Sequence, residues 1–231
     1  MFLYQPTSGY AYNSDSIFLY QFIHKFKPFG RLLDVGCGVG IISLLLSRDF
    51  KITTNIIDKQ KIMLKYAKHN FEINGLEVEA HEGDFIDFKE KDKFNFIVSN
   101  PPFYHNDVTK SQNEHLHIAR YAQHLPLDKF IAKVKKLLAP RGWFIFCYDA
   151  KQLSEILVQM HLNKITPQTI QFVHSKKDRA SKLVMVAGRL NSKSLLEILE
   201  PFIVFDNESN YNTEPSNAFK MASTHSIKGD F

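Results

Sequence analysis

The sequence predicts an α/β protein with a mostly parallel, seven-stranded sheet, helices on both faces and an antiparallel hairpin at its C-terminal end. Three observations predict this fold class. From position 31 onward, short β-branched or apolar stretches alternate with stretches of helical period. The last two strand-like stretches, ITPQTIQFVH and ASKLVMVAGRL, are joined by a polar loop alone, which predicts the hairpin. The apolar content of 44% and charged content of 23% are ordinary for a globular protein of 231 residues.

Each element has its own local signal. The five strands predicted before the hairpin are residues 31–36, 51–58, 78–84, 94–100 and 142–149. The predicted helices are residues 15–26, the VGIISLLLS stretch after the first strand, residues 60–74, a helix from Leu127, and one containing Leu153 to Met160. Asn74-Gly75 is a typical helix end, and Pro126 suits a first helical turn. Pro140 and Gly142 predict that the Leu127 helix ends before them.

We expect one domain over residues 1–231. It would comprise an N-terminal extension with one helix (1–29), a Rossmann-like core (30–190) and an aromatic and polar C-terminal tail (191–231). Two cysteines without metal-binding spacing favour a reducing compartment, and the longest apolar stretches are too short to span a bilayer. We therefore expect a soluble cytoplasmic protein, with a monomer as the default oligomeric state. The net charge of +5 is mild evidence for an anionic partner such as nucleic acid.

A glycine-rich loop follows the first core strand in the sequence DVGCGVG, with glycines at positions 36, 38 and 40. Alternate glycines let the backbone turn tightly and approach a ligand. A dinucleotide site would require its third glycine at position 41, which is Ile41 here. Asp34 beside the loop suits a cationic group, such as an α-amino group, better than a pyrophosphate.

Acidic residues end three successive predicted strands. Asp58, at the end of the second strand, is placed to hold two ribose hydroxyls, because a carboxylate accepts two hydrogen bonds. Asp84 ends the third strand and could accept a hydrogen bond from an adenine amino group, with Phe85 against the ring. Since ligands bind outside the carboxyl ends of parallel strands, these acids and Asp34 predict one nucleoside-binding crevice.

This pattern resembles the class I S-adenosylmethionine (SAM) methyltransferases, whose sheet also ends in an antiparallel hairpin. The resemblance implies that SAM is the cofactor. It implies that Asp34 and the loop residues Gly36, Cys37, Gly38 and Gly40 flank the methionine part of SAM. Asp58 would then hold the ribose, and Asp84 with Phe85 the adenine.

The fourth strand ends in the sequence IVSNPPFY, at residues 97–104. An exocyclic amino nitrogen of a base is a weak nucleophile because its lone pair is delocalised into the ring. Two acceptors, the Asn100 side-chain oxygen and the Pro101 carbonyl, would localise that lone pair by binding the two amino hydrogens. Pro101 and Pro102 restrict the backbone, and the Phe103 ring would stack on a flat substrate. The motif therefore predicts methyl transfer to a planar nitrogen, and adenine N6, guanine N2 and a glutamine amide all remain open.

The chain also resembles the bacterial tRNA1(Val) adenine-37 N6-methyltransferase family over most of its length. The stretches that carry the likeness are YQPTSGYAYNSDSIFLYQF, HIARYAQHLPLDKFIAKVKKLLAPRGWFIF, TPQTIQFVHSKKDRASKLVMVAGR and EPFIVFDNESNYNTEP. The family's tyrosine after the prolines is Phe103 here, which keeps the stacking face and loses a hydroxyl. The resemblance implies that the substrate is tRNA and that the product is N6-methyladenine in the anticodon loop.

Basic residues are dense in the predicted hairpin loop, which contains Lys176, Lys177, Arg179 and Lys182. Such residues contact a nucleic acid backbone without reading its sequence. Arg120 is a further candidate for phosphate contact. An anticodon-loop base is already single-stranded or easily extruded, so a compact enzyme without a DNA-reading domain could reach it.

Metal and thiol chemistry are not expected. The four histidines after the NPPF motif, at positions 105, 115, 117 and 124, have no firm ligand spacing and no cysteine partners. Cys37 is interpreted as a small packed residue of the glycine loop rather than as a nucleophile.

Four other functions compete with adenine methylation in tRNA. An rRNA guanine-N2 methyltransferase and a protein glutamine-N5 methyltransferase would use the same motif. The basic hairpin and the lack of a separate protein-binding helical domain count against the glutamine enzyme. A non-catalytic SAM-fold RNA-binding module would have no need of the acceptor pair. Ile41 and Asp34 disfavour an NAD-linked oxidoreductase.

Overall fold

The computed structural model describes residues 1–7, 12–101 and 125–230, and it confirms the predicted α/β fold. The strands are β1 (Phe2–Gln5), β2 (Gly30–Val35), β3 (Ile52–Asp58), β4 (Glu79–Glu82), β5 (Phe94–Ser99), β6 (Leu138–Asp149), β7 (Ile165–His174), β8 (Leu183–Leu190), β9 (Glu197–Ile198), β10 (Phe202–Ile203) and β11 (His225–Lys228). Nine of these described strands form one sheet in the order β10-β7-β8-β6-β5-β2-β3-β4, with β9 also paired to β7. All seven predicted strands are in this sheet, and the tail adds the two short strands β9 and β10.

The helices are α1 (Ser14–His24), α2 (Ile41–Asp49), α3 (Lys61–Ile73), α4 (Leu127–Leu137), α5 (Leu153–Leu162) and α6 (Thr213–Ala222). The periodicity that predicted α4 is confirmed by its buried residues Phe130, Ile131, Val134 and Leu137. Among the described residues, no helix is both long and apolar enough to cross a membrane.

The sheet separates two apolar cores because successive residues of a strand point to opposite faces. On one face, α1, α2 and α3 pack against side chains such as Leu32 and Phe96. On the other face, α4 and α5 pack against side chains such as Leu33 and Ile97. The division of Leu32 and Leu33 between the two cores accounts for the adjacent apolar residues of β2, a feature typical of parallel strands buried on both faces.

The predicted hairpin is confirmed, whereas the predicted start of β6 is wrong. β8 pairs antiparallel with both β6 and β7, and the remaining pairs of the core are parallel. β6 begins at Leu138, immediately after α4, rather than at residue 142. Leu138 pairs with Phe94 and Trp143 pairs with Phe96, so the intervening residues of β6 bulge out of the ladder. A proline is tolerated at such a bulge because it needs no ladder hydrogen bond there.

The N-terminal extension and the C-terminal tail contact each other. β1 pairs in parallel with β11, and Arg48 of α2 donates to the carbonyl of Ala222 at the end of α6 over 2.7 Å. Phe202 and Ala218 of the tail are buried. The interpretation of residues 191–231 as an aromatic and polar tail therefore missed regular structure that packs on the core. The prediction of one domain over 1–231 stays a prediction, and these contacts support it.

The middle of the sheet positions the site. β2 lies between β3 and β5, and Val35 is in register with Ile57 on one side and Ser99 on the other. The residues that follow these three positions therefore lie next to each other at the carboxyl edge of the sheet. They are the glycine loop, Asp58 and Asn100. After β2, the chain adds β3 and β4 on one side of this strand and then β5 and β6 on the other side. A ligand crevice is expected at the carboxyl edge beside such a switch in strand order.

Candidate active site at the carboxyl edge of the sheet

The glycine loop between β2 and α2 forms one wall of the site. The amides of Gly36 and Cys37 both donate to the carbonyl of Ile57, which ties the loop to β3. Gly36 has a φ of 66°, and a Cβ added there would meet no atom within 4 Å, so its missing side chain faces open space. Gly40 has a φ of 81°, and a Cβ there would lie 3.1 Å from the Cβ of Ala67. The loop thus requires glycine for its conformation at both positions and leaves room for a ligand at Gly36.

Asp34 lies at the base of this loop and is 1% exposed. Its carboxylate accepts a hydrogen bond of 3.3 Å from the amide of Ser43 in the first turn of α2. Burial raises the pKa of the Asp34 carboxyl to about 7, since removing a carboxylate from water disfavours its charge, and the hydrogen bonds from Ser43 oppose this effect only in part. Within the described residues, Asp34 has no ion pair with a basic side chain. A buried acid in this state favours a cationic ligand group.

Asp58 joins the end of β3 to the glycine loop. One of its carboxylate oxygens accepts from the amide of Gly38 over 2.9 Å, and the other accepts from the amide of Gln60 over 2.8 Å. Each oxygen can accept a second hydrogen bond. The prediction that Asp58 holds a ribose is compatible with this geometry and stays a prediction.

Asp84 and Phe85 follow β4, and the side chain of Asp84 is the more accessible of the two. Asp84 accepts from the amide of Ile86 and forms an ion pair of 3.1 Å with Lys59. Phe85 is 5% exposed, and its ring packs edge-to-face on Phe130 of α4 with the centroids 5.6 Å apart. Most of the Phe85 ring therefore belongs to the core, which leaves little of its surface for a ligand. The predicted adenine contact of Asp84 and Phe85 is not tested by these contacts.

Asn100 lies in the same crevice as the glycine loop. The crevice is lined by Tyr12, Ser16, Asp34, Gly36, Cys37, Gly38, Val39, Ile41, Ile42 and Asn100. Asn100 follows the last residue of β5, and the next residue, Pro101, is buried. Pro102, Phe103, Arg120 and the four histidines after the motif lie outside the described residues. The structure thus brings together the loop, Asp34 and the amide that sequence analysis identified separately.

Three residues near Asn100 were missed as site residues. Tyr12, just before α1, and Ser16, in its first turn, line the crevice, and the thiol of Cys147 on β6 donates to the Asn100 side chain. Ser16 lies in the stretch YQPTSGYAYNSDSIFLYQF, which indicated a family likeness and no role in the site. No sequence signal indicated Cys147, which lies within an apolar strand.

Cys37 is also buried, in the loop itself. Burial raises the pKa of its thiol well above the ordinary value, and the Asp58 and Asp34 carboxylates add to the effect. The thiol therefore stays protonated, which supports the interpretation of Cys37 as a packed residue and not a nucleophile.

The basic residues of the hairpin do not all have the same surroundings. Lys176 donates to the carbonyl of Asn207 and to the hydroxyl of Ser209 in the tail, over 3.1 and 3.0 Å. Lys177, Arg179 and Lys182 are exposed. The tail therefore engages one of the four hairpin residues that were predicted to contact RNA, and the other three remain accessible to an anionic partner.

Known proteins share the fold and parts of the sequence of this chain. A family model described as methyltransferase small domain matches residues 12–173. The chain is 28% identical over 164 residues to a tRNA1(Val) (adenine(37)-N6)-methyltransferase of Phocaeicola vulgatus, which is 69% of each chain. It is 35% identical over 99 residues to the ribosomal RNA small subunit methyltransferase C of Stutzerimonas stutzeri, or 42% of this chain and 30% of that protein. The crystal structure of a predicted O-methyltransferase from Agrobacterium tumefaciens superposes with a TM-score of 0.70 at 14% identity, covering 92% of this chain and 98% of that one, which shows a shared fold.

Proposed function

The chain belongs to the methyltransferase small domain family and is a SAM-dependent methyltransferase, and from that premise we propose that it methylates the exocyclic N6 of an adenine in tRNA. The observation that carries the proposal is the position of Asn100 in the same crevice as the glycine loop and Asp34. A hydrogen-bond acceptor for an amino group thus lies beside a cradle for a cationic cofactor. That juxtaposition is what transfer to a planar nitrogen requires.

The residues of the crevice fit the cofactor. Asp34 is a buried acid suited to the α-ammonium group, the open space at Gly36 accommodates a ligand against the loop, and Asp58 retains acceptor capacity for ribose hydroxyls. When bound, SAM supplies a methyl group carried on a positively charged sulfur. The protein's task is therefore to orient the two partners and to activate the acceptor nitrogen.

Asn100 and Pro101 perform that activation. A carbonyl oxygen has two lone pairs, and the described contacts of Asn100 use one of them, so its Oδ1 can accept one hydrogen of the substrate amino group. The carbonyl of Pro101 accepts the other. Binding both hydrogens withdraws the nitrogen lone pair from the ring and directs it outward. Phe103 supplies the stacking face for the base in this proposal.

A tRNA substrate is supported by the exposed basic residues of the hairpin and by the names of relatives. The position in those names, adenine 37 of tRNA1(Val), is the first substrate to test. Guanine N2 of rRNA is the second candidate, favoured by the 35% identity to an rRNA methyltransferase over 99 residues. A glutamine amide would be bound by the same acceptors, but the basic hairpin does not favour it.

Incubation of the pure protein with radiolabelled SAM and unmodified tRNA should place the label in N6-methyladenosine after digestion. Parallel reactions contain rRNA, DNA, a release factor, and a tRNA1(Val) transcript in which adenine 37 is replaced by guanine. The transcript with guanine should accept no label. Label in N2-methylguanosine or in glutamine would overturn the adenine proposal. Binding of SAM without transfer to any of these substrates would favour the non-catalytic module.

Neutralising the accessible part of the hairpin should weaken tRNA binding. In the triple variant Lys177→Gln, Arg179→Gln and Lys182→Gln, we expect the affinity to fall and the salt dependence of binding to become less steep, by about 2 to 3 in the log–log slope, because fewer counterions are released. Fluorescence anisotropy with labelled tRNA at several salt concentrations measures both quantities. The SAM affinity should not change.

A matched control removes three exposed charges at the opposite edge of the sheet. Lys27, Lys51 and Lys91 lie in the loops that enter β2, β3 and β5. Their replacement by glutamine changes the net charge by the same amount. An equal loss of tRNA affinity in this control would show that the hairpin has no particular role.

A further inference from the structure

The side-chain amide of Asn100 has a hydrogen-bond partner at each end. The thiol of Cys147 donates to Oδ1 over 2.9 Å, and Nδ2 donates to the hydroxyl of Ser16 over 3.0 Å. The partners come from separate parts of the chain, since Ser16 belongs to α1 and Cys147 to β6, the strand next to β5. The amide is therefore held from two sides by elements that pack around it.

Such a pair of contacts specifies which way the amide faces. Rotation about the bond between Cβ and the amide carbon of an asparagine is broad and nearly two-fold, so the backbone alone does not decide where the oxygen points. An amide turned by 180° would present its NH₂ group to the thiol, and the thiol proton would lose its acceptor. Both Ser16 and Cys147 are almost completely buried, at 4% and 0% exposed, so water does not replace a lost partner there.

The thiol is suited to the donor role. Burial raises the pKa of the Cys147 thiol well above the ordinary value, and the carboxylate of Asp15 nearby raises it further. Cys147 therefore keeps its proton at neutral pH and can donate it to Oδ1. The same environment makes the thiol a poor nucleophile, so we interpret Cys147 as a hydrogen-bond donor to Asn100.

We propose that Ser16 and Cys147 are positioning residues that hold the Asn100 amide with Oδ1 facing the methyl-acceptor nitrogen. The inference rests on the proposed role of Asn100 and deepens it. One lone pair of Oδ1 is bonded to Cys147, and the other is directed to the substrate. One hydrogen of Nδ2 is bonded to Ser16, and this bond keeps the NH₂ group of Asn100 away from the substrate amino group. An NH₂ group facing the substrate would repel the hydrogens of the substrate amino group.

The kinetic test compares three substitutions at two positions on the same face of β6. In Cys147→Val, which removes the donor, we expect kcat to fall by about 10- to 100-fold, by analogy with the loss seen in metalloenzymes when a hydrogen bond that orients a metal ligand is removed. The KM for RNA and the Kd for SAM of this variant should stay within about twofold of the wild-type values. Cys147→Ser keeps a donor and should therefore retain most of the wild-type kcat. Ile145→Val changes the volume of the same core at a side chain that makes no hydrogen bond, and its kcat should be that of the wild type.

A second pair of variants tests the other end of the amide. Ser16→Ala should lower kcat in the same way, whereas Ser47→Ala should not. The half-buried Ser47 hydroxyl donates to the carbonyl of Ser43 in α2 and bonds to the hydroxyl of Thr54 on β3, so its loss reports the general cost of removing a hydrogen-bonded hydroxyl. If Cys147→Val and Ser16→Ala turn over as fast as their controls, or if the Kd for SAM rises as much as kcat falls, the proposal is wrong.

A measurement without substrate separates this proposal from the proposed function. In protein labelled with ¹⁵N at asparagine side chains, the Asn100 signal is identified by its loss in Asn100→Ala. We expect the Nδ2 hydrogens to exchange with water about tenfold faster or more in Cys147→Val and in Ser16→Ala than in the wild type. Unchanged exchange in both variants would overturn the positioning role, whatever the substrate is. Failure of the wild type to methylate any RNA would overturn the proposed function. The exchange rates would still show whether Ser16 and Cys147 hold the Asn100 amide.

Discussion

Replacement of Asn100 by alanine should reduce methyl transfer by about 10²- to 10³-fold while the affinity for SAM changes by less than about threefold. The magnitude is that of removing a hydrogen-bonding group aimed at the reacting atoms in other enzymes. The physical reason is that, in the proposed function, Asn100 supplies the acceptor for the substrate amino group, whereas the proposed cofactor residues are Asp34, the glycine loop and Asp58. Single-turnover kinetics measure the first quantity, and isothermal titration calorimetry measures the second.

The control for this variant is Asn74→Ala. The Asn74 amide is also hydrogen-bonded, to the backbone of Phe2, but it lies at the end of α3 and does not line the crevice. It should lose stability in a thermal melt without losing turnover. A parallel loss of SAM affinity and turnover in Asn100→Ala would place Asn100 on the cofactor side of the crevice and contradict the proposed role.

The affinity for SAM should fall as the pH is lowered below about 7. The pKa of Asp34 is raised to about 7 by burial, so below that pH the free protein holds this carboxyl in its neutral form. A bound α-ammonium group favours the ionised form, so binding releases the proton. The apparent Kd should rise by up to about tenfold for each pH unit below 7 and should level off above about pH 8. Calorimetry in buffers of different ionisation enthalpy measures both the affinity and the proton released.

Asp34→Asn removes the titrating group and should remove this pH dependence. At pH 8 the variant should bind SAM about 10- to 150-fold more weakly, the value of a hydrogen bond to a charged group. Asp92→Asn, an exposed acid before β5, should keep both the affinity and the pH profile of the wild type. A pH profile that persists in Asp34→Asn would assign the titration to another group, with Asp58 as the first candidate because burial also raises its pKa.

Residues close together in the sequence were placed well by sequence analysis. The glycine loop, Asp34, Asp58 and Asn100 each follow a strand that its own composition identifies, and parallel strands bring their carboxyl ends to one edge. The start of β6 was predicted wrongly because Pro140 and Gly142 resemble a break. The structure accommodates them in a bulge of a strand that has already begun at Leu138.

Side-chain environments were not predictable in the same way. Phe85 carries a ring that suits a ligand, yet most of that ring packs in the core, edge-to-face on Phe130 of α4. Lys176 belongs to the basic loop, yet the loop of the tail around Asn207 engages its ammonium group. In both cases the neighbour is far away in the sequence, and no local pattern indicates the contact.

The fold class, the glycine loop and the position of Asn100 at the end of a central strand followed from the amino-acid sequence, because periodicity, glycine spacing and strand ends are local properties. The way in which the Asn100 amide is held depends instead on the three-dimensional packing. Its two partners lie 84 and 47 residues away, and they meet it because the first turn of α1 reaches the crevice at the carboxyl edge and β6 pairs with β5. A hydrogen bond of this kind depends on the distance between two side chains in space, which the order of residues along the chain does not specify.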